Sequence, residues 1–179
     1  MNIFFLSMSI IRCSQAHFDK HVIKMILEYC QLLSTCWHLT NPIQGQKYLE
    51  NNQIYRKTHI HHPCVKWLLL HYNNYDYVVK LGLALCKEWR YRYKHEKIHG
   101  CEHKLLFLYD NRPNLPNHEI IKTSHNPKCL QLPLPQAMPI KYKKKDSVHG
   151  CVRAYRRYYK SSCKSHLVNW KGRDKPLWW

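Results

Sequence analysis

The sequence predicts a mainly α protein, a compact single-domain helical bundle with long irregular loops and an aromatic-basic C-terminal segment. Two long stretches, residues 18–38 and 75–95, carry apolar side chains at the spacing of a helix. The chain has 179 residues and is 45% hydrophobic, which is enough for one domain with a core. We predict a helical domain over residues 1–168 and a tryptophan-rich tail over residues 169–179.

The first elements are predicted to be a short buried segment and a long helix. Asn2–Leu6 is apolar enough to be buried, and its pattern also fits a short strand. Ser7–His17 is expected to be a connection, in which Ser14 or Asp19 can cap the helix that follows. That helix is predicted from Phe18 to His38. Its apolar row is Val22, Ile26, Cys30, Leu33 and Trp37, and its polar row is His21, Lys24, Glu28, Gln31 and Thr35.

The central part of the chain is predicted to hold a loop and two helices. Thr40–Ile60 is polar and rich in turn residues, which indicates a loop with at most a turn of helix. Pro63 suits the first position of a helix that is expected to end near Asn73. Asn73 or Asn74 can cap the next helix, from Tyr75 to about His95. That helix has an apolar row, Val78, Gly82, Leu85 and Trp89, and a basic row, Lys80, Lys87, Arg90 and Lys94.

The C-terminal third is predicted to be irregular and to end in one helix and a tail. Gly100–Pro139 contains six prolines and is expected to be loop, apart from a short helix over Lys104–Tyr109. Asp146 can cap a last helix from Ser147 to about His166. The tail carries three tryptophans, so we expect it to pack on the body of the protein or on a ligand.

The charge of the chain indicates a polyanionic partner. Lys and Arg number 29 against 11 Asp and Glu, a net charge of +18. Aromatic residues accompany the basic ones in three clusters, residues 91–94, 155–160 and 170–179. Cations bind phosphates and flat rings stack on bases, which favours nucleic acid. An anionic membrane surface is the competing partner, but no amphipathic membrane-surface helix and no membrane span is apparent in the sequence. We expect a DNA-binding monomer.

The nine cysteines indicate a reducing compartment. Their number is odd and no CxxC pair occurs, unlike a secreted disulfide framework. We expect an intracellular protein, in the cytoplasm or nucleus of a host cell, with packaging in a virion as a further option. The apolar run Asn2–Ile11 also suggests a signal peptide, but it lacks the positive charge that begins one.

Several kinds of catalytic site are excluded or disfavoured. No phosphate-binding glycine loop and no GxSxG motif occurs, and acidic residues are too few to favour a two-metal nuclease. Two His/Cys groups, within residues 59–64 and 95–103, contain zinc-ligand types at spacings that match no standard structural site. We expect no metal and no cofactor, with a zinc-dependent nuclease or zinc-stabilised binder as a minor alternative.

What remains is chemistry by one carboxylate and one amine. An amine can attack C1′ of a damaged nucleotide and give a Schiff base after the base has left. A carboxylate beside it can stabilise the cationic sugar and transfer protons. Glu28 is the candidate carboxylate, since it is one of only two acidic residues among the first 49.

The pattern Asp19-x-His21 followed by Glu28 resembles the corresponding helix of the phage-type pyrimidine-dimer DNA glycosylase/AP-lyase family. The aromatic-basic run over residues 154–160 is similar in character, and the helix over 74–94 has a similar place in the order of elements. The chain is also similar to small proteins of phages and large DNA viruses. The resemblance implies a mostly helical domain that acts on DNA. It also implies that Glu28 is the catalytic glutamate and that the α-amine at the N-terminus is the nucleophile.

The chain departs from this family pattern at three positions. Residue 2 is Asn2, whereas the family has a threonine that is exposed when the initiator methionine is removed. Leu27 and Gln31 stand where the family has arginines. The nucleophilic amine therefore stays open, and Lys24 or Lys20 could take the role if desolvation weakened its basicity.

The leading hypothesis is a DNA repair glycosylase with AP-lyase, and hence endonuclease, activity. Its candidate catalytic residues are Glu28, Met1, Asn2 and His21. Its candidate nucleic-acid-binding residues are Lys24, Gln31, Lys87, Arg90, Lys94, Tyr155, Arg156, Arg157, Tyr159 and Trp170. The alternative is a non-catalytic basic nucleic-acid-binding protein, such as a packaging or virion protein, which would use the same charges and rings without cleaving a strand.

Overall fold

The computed structural model describes residues 1–116, 130–144 and 147–179, and every regular element in these ranges is a helix. The prediction of a mainly α fold is confirmed. Asp146, predicted to cap the last helix, and part of the predicted irregular segment lie outside the described residues. The α-helices are α1 (Ile10–Ala16), α2 (Asp19–Thr40), α3 (Pro42–Glu50), α4 (Pro63–Leu69), α5 (Tyr72–Tyr93), α6 (Glu102–Asp110) and α7 (Val148–Tyr159). Short 3-10 segments cover Ile140–Tyr142 and Ser162–Leu167.

The two long helices, α2 and α5, pack against each other at the centre of the fold. Helix α5 also packs on α1, α4 and α6, and α2 also packs on α3, α4 and α6. The apolar row predicted for α2 is buried throughout. Because neighbours surround both helices, α2 is exposed in its first half only along one narrow face. None of the described helices is apolar over a length that would cross a bilayer.

The N-terminal segment is buried, as predicted, but the described residues form no strand there. Asn2–Leu6 runs through the core, and four of its five residues are 3% exposed or less. Phe5 stacks on Tyr77 of α5, and Phe4 packs edge-on against Tyr155 and Tyr159 of α7. The first residues of the chain therefore join the central helices to the C-terminal helix.

Two short helices were not predicted. Helix α1 lies in the expected connection, where the Ser9 side chain accepts a hydrogen bond from the Arg12 amide. Helix α3 lies in the expected loop, where the Asn41 side chain accepts from the Gln44 amide and Pro42 begins the helix. Asn-Pro signals a turn and a capped helix equally well, so these sequence signals were ambiguous.

The boundary between α4 and α5 differs from the prediction. Helix α4 ends at Leu69, and α5 begins at Tyr72 under a cap provided by the side chain of His71. Neither predicted cap, Asn73 or Asn74, is used. The buried Asn74 side chain instead donates to the Trp67 carbonyl and accepts from the Gln131 amide, which joins α5 to α4 and to the segment that contains Gln131.

The C-terminal part closes over the start of α2. Helix α7 ends at Tyr159, earlier than predicted, and is capped by Ser147. In the tail, the buried Trp170 donates from its indole nitrogen to the Ala16 carbonyl at 3.2 Å. The Asp19 amide donates to the Asn169 carbonyl at 3.1 Å. The tail thus packs on the body of the protein at the first turn of α2.

Candidate active site

The carboxylate of Glu28 lies against the N-terminus of the chain. Glu28 is 8% exposed, and its Oε2 accepts a hydrogen bond from the Asn2 amide at 3.1 Å. The α-amine of Met1 lies 3.8 Å from the same oxygen. The amine of Lys24, one turn earlier on α2, lies 3.5 Å from Oε1. The fold thus brings together three of the residues predicted for catalysis, Met1, Asn2 and Glu28.

The side chain of Asn2 fixes the N-terminus in this position. Its Oδ1 accepts from the Tyr155 hydroxyl at 2.6 Å and from the Ile3 amide at 2.9 Å. Its Nδ2 donates to the Ala137 carbonyl at 3.0 Å. Because Asn2 is 7% exposed, these bonds replace water around a buried amide. They link the first residues to α7 and to the segment before it.

His21 lies behind the N-terminal segment. Its ring stacks on Phe4 with centroids 4.6 Å apart, and its Nδ1 is 2.6 Å from the Tyr159 hydroxyl. Burial, with smaller effects from His17 and Lys164, lowers the pKa of His21 to about 2. The imidazole is therefore neutral, and its contacts with Phe4 and Tyr159 join α2 to the N-terminal segment and to α7.

The buried histidines predict a loss of stability between pH 7 and pH 5. Burial also lowers the pKa of His17 to about 4. In the unfolded chain both rings titrate near 6.5, so the unfolded state binds more protons across this window. The free energy of unfolding must then fall as the pH falls, by up to about 4 kcal/mol for two protons.

Urea unfolding of the wild type at pH 7, 6 and 5 measures this pH dependence. The His21→Phe variant should lose about half of the dependence, whatever its absolute stability. The His103→Asn variant is the matched control, because His103 is exposed, and it should keep all of the dependence. A free energy of unfolding that does not change between pH 7 and pH 5 would contradict the argument.

Two residues near the site were not predicted, Lys164 and His62. Lys164 lies after α7, half-buried, with its amine 5.5 Å from the Phe4 ring centroid and 5.2 Å from that of Tyr158. Burial and the charge of Lys24 lower its pKa. The pKa of His62 is lowered by burial and by the positive N-terminus. No spacing in the sequence connects either residue with Glu28, since tertiary packing alone brings them there.

Asp19, the first residue of the Asp-x-His pattern, belongs to a buried ionic network at the start of α2. The fully buried Arg92 donates to Asp19 at 2.8 Å and to Glu88 at 2.7 Å. Arg173 of the tail also donates to Glu88, at 3.0 Å. Burial alone would raise the pKa of Glu88, but the hydrogen bonds and charges of Arg173 and Arg92 outweigh it and lower the pKa. The network fixes the beginning of the helix that carries Glu28.

The basic residues predicted to bind nucleic acid differ in their availability. Those that are exposed are Lys24, Lys87, Lys94 and Arg157, and Gln31 is partly exposed. Arg90 forms an ion pair with Glu102, which neutralises its charge. Arg156 is half-buried, with its Nε donating to the Leu6 carbonyl at 2.9 Å and its guanidinium 5.1 Å from the Trp178 ring.

The three rings predicted to stack on bases, Tyr155, Tyr159 and Trp170, are buried instead. Both tyrosines are 0% exposed and Trp170 is 6% exposed. Tyr159 stacks on Phe18, and Trp170 packs on Phe18 and Trp179. A base cannot stack on rings whose faces are covered by protein, and this structure leaves no open face on Tyr155, Tyr159 or Trp170. The rings hold the C-terminal part of the chain against α2.

No group of three or more histidine, cysteine or acidic side chains is placed to hold a metal ion within residues 1–116, 130–144 and 147–179. The eight cysteines of these ranges are free thiols, and seven of them are buried. Cys64 lies close to the N-terminus, and burial raises its pKa to about 12.

Comparison with known proteins identifies one family. Residues 1–99 match the family model described as pyrimidine dimer DNA glycosylase. The matched part is more than half of the chain and includes Glu28, the N-terminal segment and α1 to α5. No curated protein and no solved structure matches the sequence.

Proposed function

Because this chain belongs to the pyrimidine dimer DNA glycosylase family, we propose that it removes a damaged base from DNA and then cleaves the strand as an AP lyase. At the level of the family it is a DNA repair glycosylase whose partner is DNA. The further claims, a Schiff-base intermediate on an N-terminal amine and a catalytic role for Glu28, are proposals from the geometry of the site.

The observation that carries this proposal is the distance of 3.8 Å between the α-amine of Met1 and Oε2 of Glu28. The amine belongs to the first residue of the chain and the carboxylate to helix α2. Because Glu28 is 8% exposed, its carboxylate has little access to water. An amine and a carboxylate held together in this way are the two groups that Schiff-base catalysis needs. A glutamate without a catalytic role is more commonly found on the solvent-exposed face of a helix.

The proposed reaction passes through a covalent intermediate between the amine and C1′ of the sugar. The free amine attacks C1′ of the damaged nucleotide, and the glycosidic bond breaks with its electron pair leaving on the base. The nitrogen gives up one proton, which the departing base takes up. The nitrogen lone pair then forms the C=N bond as the bond between C1′ and the ring oxygen breaks, and that oxygen takes up a proton, which gives a protonated Schiff base. Removal of a proton from C2′ then expels the 3′ phosphate, and water releases the amine. Glu28 lies where it can accept and return the protons of the amine.

The structure favours an N-terminal amine over the lysines considered from the sequence. The Lys24 side chain is 69% exposed, so the desolvation that would make it a nucleophile is absent. Lys20 is exposed as well. The Asn2 nitrogen lies 3.1 Å from Glu28, so removal of Met1 would leave an amine at the same oxygen. The half-buried Lys164, with its lowered pKa, is the remaining rival.

Borohydride trapping on a duplex with one abasic site tests the proposal and identifies the amine. We expect a covalent adduct whose tryptic peptide contains the first residue of the purified protein. A Gly-Ser extension placed before Met1 should reduce trapping by about 100-fold, because it moves the amine away from Glu28. The Lys164→Ala variant should trap as the wild type does.

Two results would contradict the proposal. An adduct on the peptide that contains Lys164 would move the nucleophile to that side chain. Salt-sensitive binding of abasic and ultraviolet-damaged duplexes without any adduct would leave a non-catalytic DNA-binding protein.

A further inference from the structure

One narrow face of α2 remains exposed beside the candidate active site. It is formed by Lys20, Ile23, Lys24, Leu27 and the partly exposed Gln31, which we call the α2 strip. In the first three turns of α2, the other side chains are buried. Successive members lie three or four residues apart, or side by side, so they share one face of the helix. Glu28 adjoins the strip but is 8% exposed.

The strip combines positive charge with exposed aliphatic side chains. Ile23 is 42% exposed and Leu27 is 39% exposed, one turn apart on the helix. An isolated exposed aliphatic residue is common on any protein surface. Here two of them alternate with two lysines, next to a buried carboxylate that has an amine at 3.8 Å. None of the five residues of the strip is acidic.

The strip continues into a basic hollow at its C-terminal end. Gln31 lines a surface hollow of about 530 Å³, whose rim includes the exposed residues Arg56 and Lys57. With a rise of about 1.5 Å per residue, the strip from Lys20 to Gln31 is roughly 16 Å long. Since phosphates of one DNA strand are spaced by about 3.4 Å along the axis, this length spans roughly five of them.

We propose that the α2 strip enters the damaged duplex beside the reacting nucleotide, with Lys20 and Lys24 on the phosphates and Ile23 and Leu27 against the neighbouring bases. This inference rests on the proposed function, since an amine at Glu28 can reach C1′ only if the duplex is opened there. Aliphatic side chains pressed between base steps unstack them, which exposes the nucleotide for reaction. In a DNA strand the phosphates lie on the outside of the duplex and the bases on the inside. The lysines of the strip can therefore contact phosphates while the aliphatic side chains between them contact bases.

The two kinds of side chain predict different effects on binding. Each lysine that contacts a phosphate releases counterions, so that its removal lowers the dependence of affinity on salt. Removal of an aliphatic contact lowers affinity equally at all salt concentrations. The measurement is equilibrium binding to a duplex that contains a tetrahydrofuran abasic analogue next to 2-aminopurine, at several concentrations of KCl. The fluorescence of 2-aminopurine reports unstacking.

The variants are Lys20→Ala, the double variant Ile23→Ser/Leu27→Ser, and Ile43→Ser as a matched control. Ile43 is 75% exposed on α3, away from the strip. We expect Lys20→Ala to reduce the magnitude of the salt slope by about one. The double variant should keep the slope, bind about tenfold more weakly and give a smaller increase in fluorescence. The Ile43→Ser variant should behave as the wild type does.

The results separate this inference from the proposed function. If the double variant binds and unstacks as Ile43→Ser does, while the wild type still forms a borohydride adduct, the strip has no role and the proposed reaction stands. If the wild type forms no adduct, the proposed reaction fails, and the fluorescence change of the double variant still decides whether the strip opens the duplex. A lower salt slope in the double variant would also overturn the assignment, because it would indicate a changed ionic contact.

Discussion

Replacing Glu28 with glutamine is expected to reduce strand cleavage and adduct formation on abasic DNA by roughly 10²- to 10⁴-fold. The amide keeps an oxygen that can accept the hydrogen bond from the Asn2 nitrogen, so the geometry of the N-terminus should survive. The variant loses the negative charge and the capacity to take a proton from the α-amine 3.8 Å away. Single-turnover cleavage, with enzyme in excess over the duplex, measures the chemical steps without product release.

The matched control is Glu50→Gln, which removes the same charge from an exposed position at the end of α3. It should leave the cleavage rate unchanged. Glu28→Gln should also bind abasic DNA at least as tightly as the wild type, because it removes a negative charge beside the phosphates. Full activity in Glu28→Gln would exclude Glu28 as the catalytic carboxylate. An equal loss of binding and cleavage would indicate a damaged fold.

The long elements of this fold could be predicted from the sequence because their periodicity is strong. Helix α2 begins and ends within two residues of its predicted limits, 18–38. The short helices α1 and α3 were missed because seven to nine residues give too few turns for a period to stand out. Their caps, Ser9 and Asn41, are residue types that initiate turns as readily as helices.

The candidate site was predictable only in part. Glu28 could be singled out because acidic residues are scarce in the first part of the chain. The contact between its carboxylate and the N-terminus depends on the path of Asn2–Leu6 through the core, which a local pattern does not encode. The approach of Lys164 depends on how the segment after α7 folds back over Phe4.

Composition alone does not show which residues of the basic-aromatic clusters are exposed. On α7, the helical period places Tyr155 and Tyr159 on the buried face and leaves Arg157 exposed. The same cluster therefore supplies core packing from its rings and surface charge from its cations. Sequence proximity of the two residue types does not establish that they share a face, and their burial decides which of them can meet DNA.

Replacing Arg92 with alanine is expected to lower the free energy of unfolding by about 3–5 kcal/mol, because it leaves the buried carboxylate of Asp19 without its cation and removes one of the two cations that pair with Glu88. Arg92 is 2% exposed as a residue, and its guanidinium donates to Glu88, Asp19 and the carbonyls of Gln15 and His17. These bonds join α5 to the end of α1, to His17 and to the start of α2, and Asp19 also accepts from the Lys171 amide of the tail. The loss should therefore loosen the tail before the rest of the molecule.

Urea unfolding at pH 7 measures the loss, and limited trypsin digestion reports the release of the tail. The matched control is Arg153→Ala, since Arg153 is exposed on α7 and its removal should change stability by about 0.5 kcal/mol or less. If Arg92→Ala does not fold, Arg173→Ala removes only the outer partner of Glu88 and should give a smaller loss with earlier cleavage in the tail. Stability of Arg92→Ala within about 1 kcal/mol of the wild type would mean that water solvates Asp19 and Glu88 once the guanidinium is removed, contrary to their burial. In that case the ion pair between Asp19 and Arg92 would not be needed to hold the start of α2, and the packing of α2 against α5 would be enough to position Glu28.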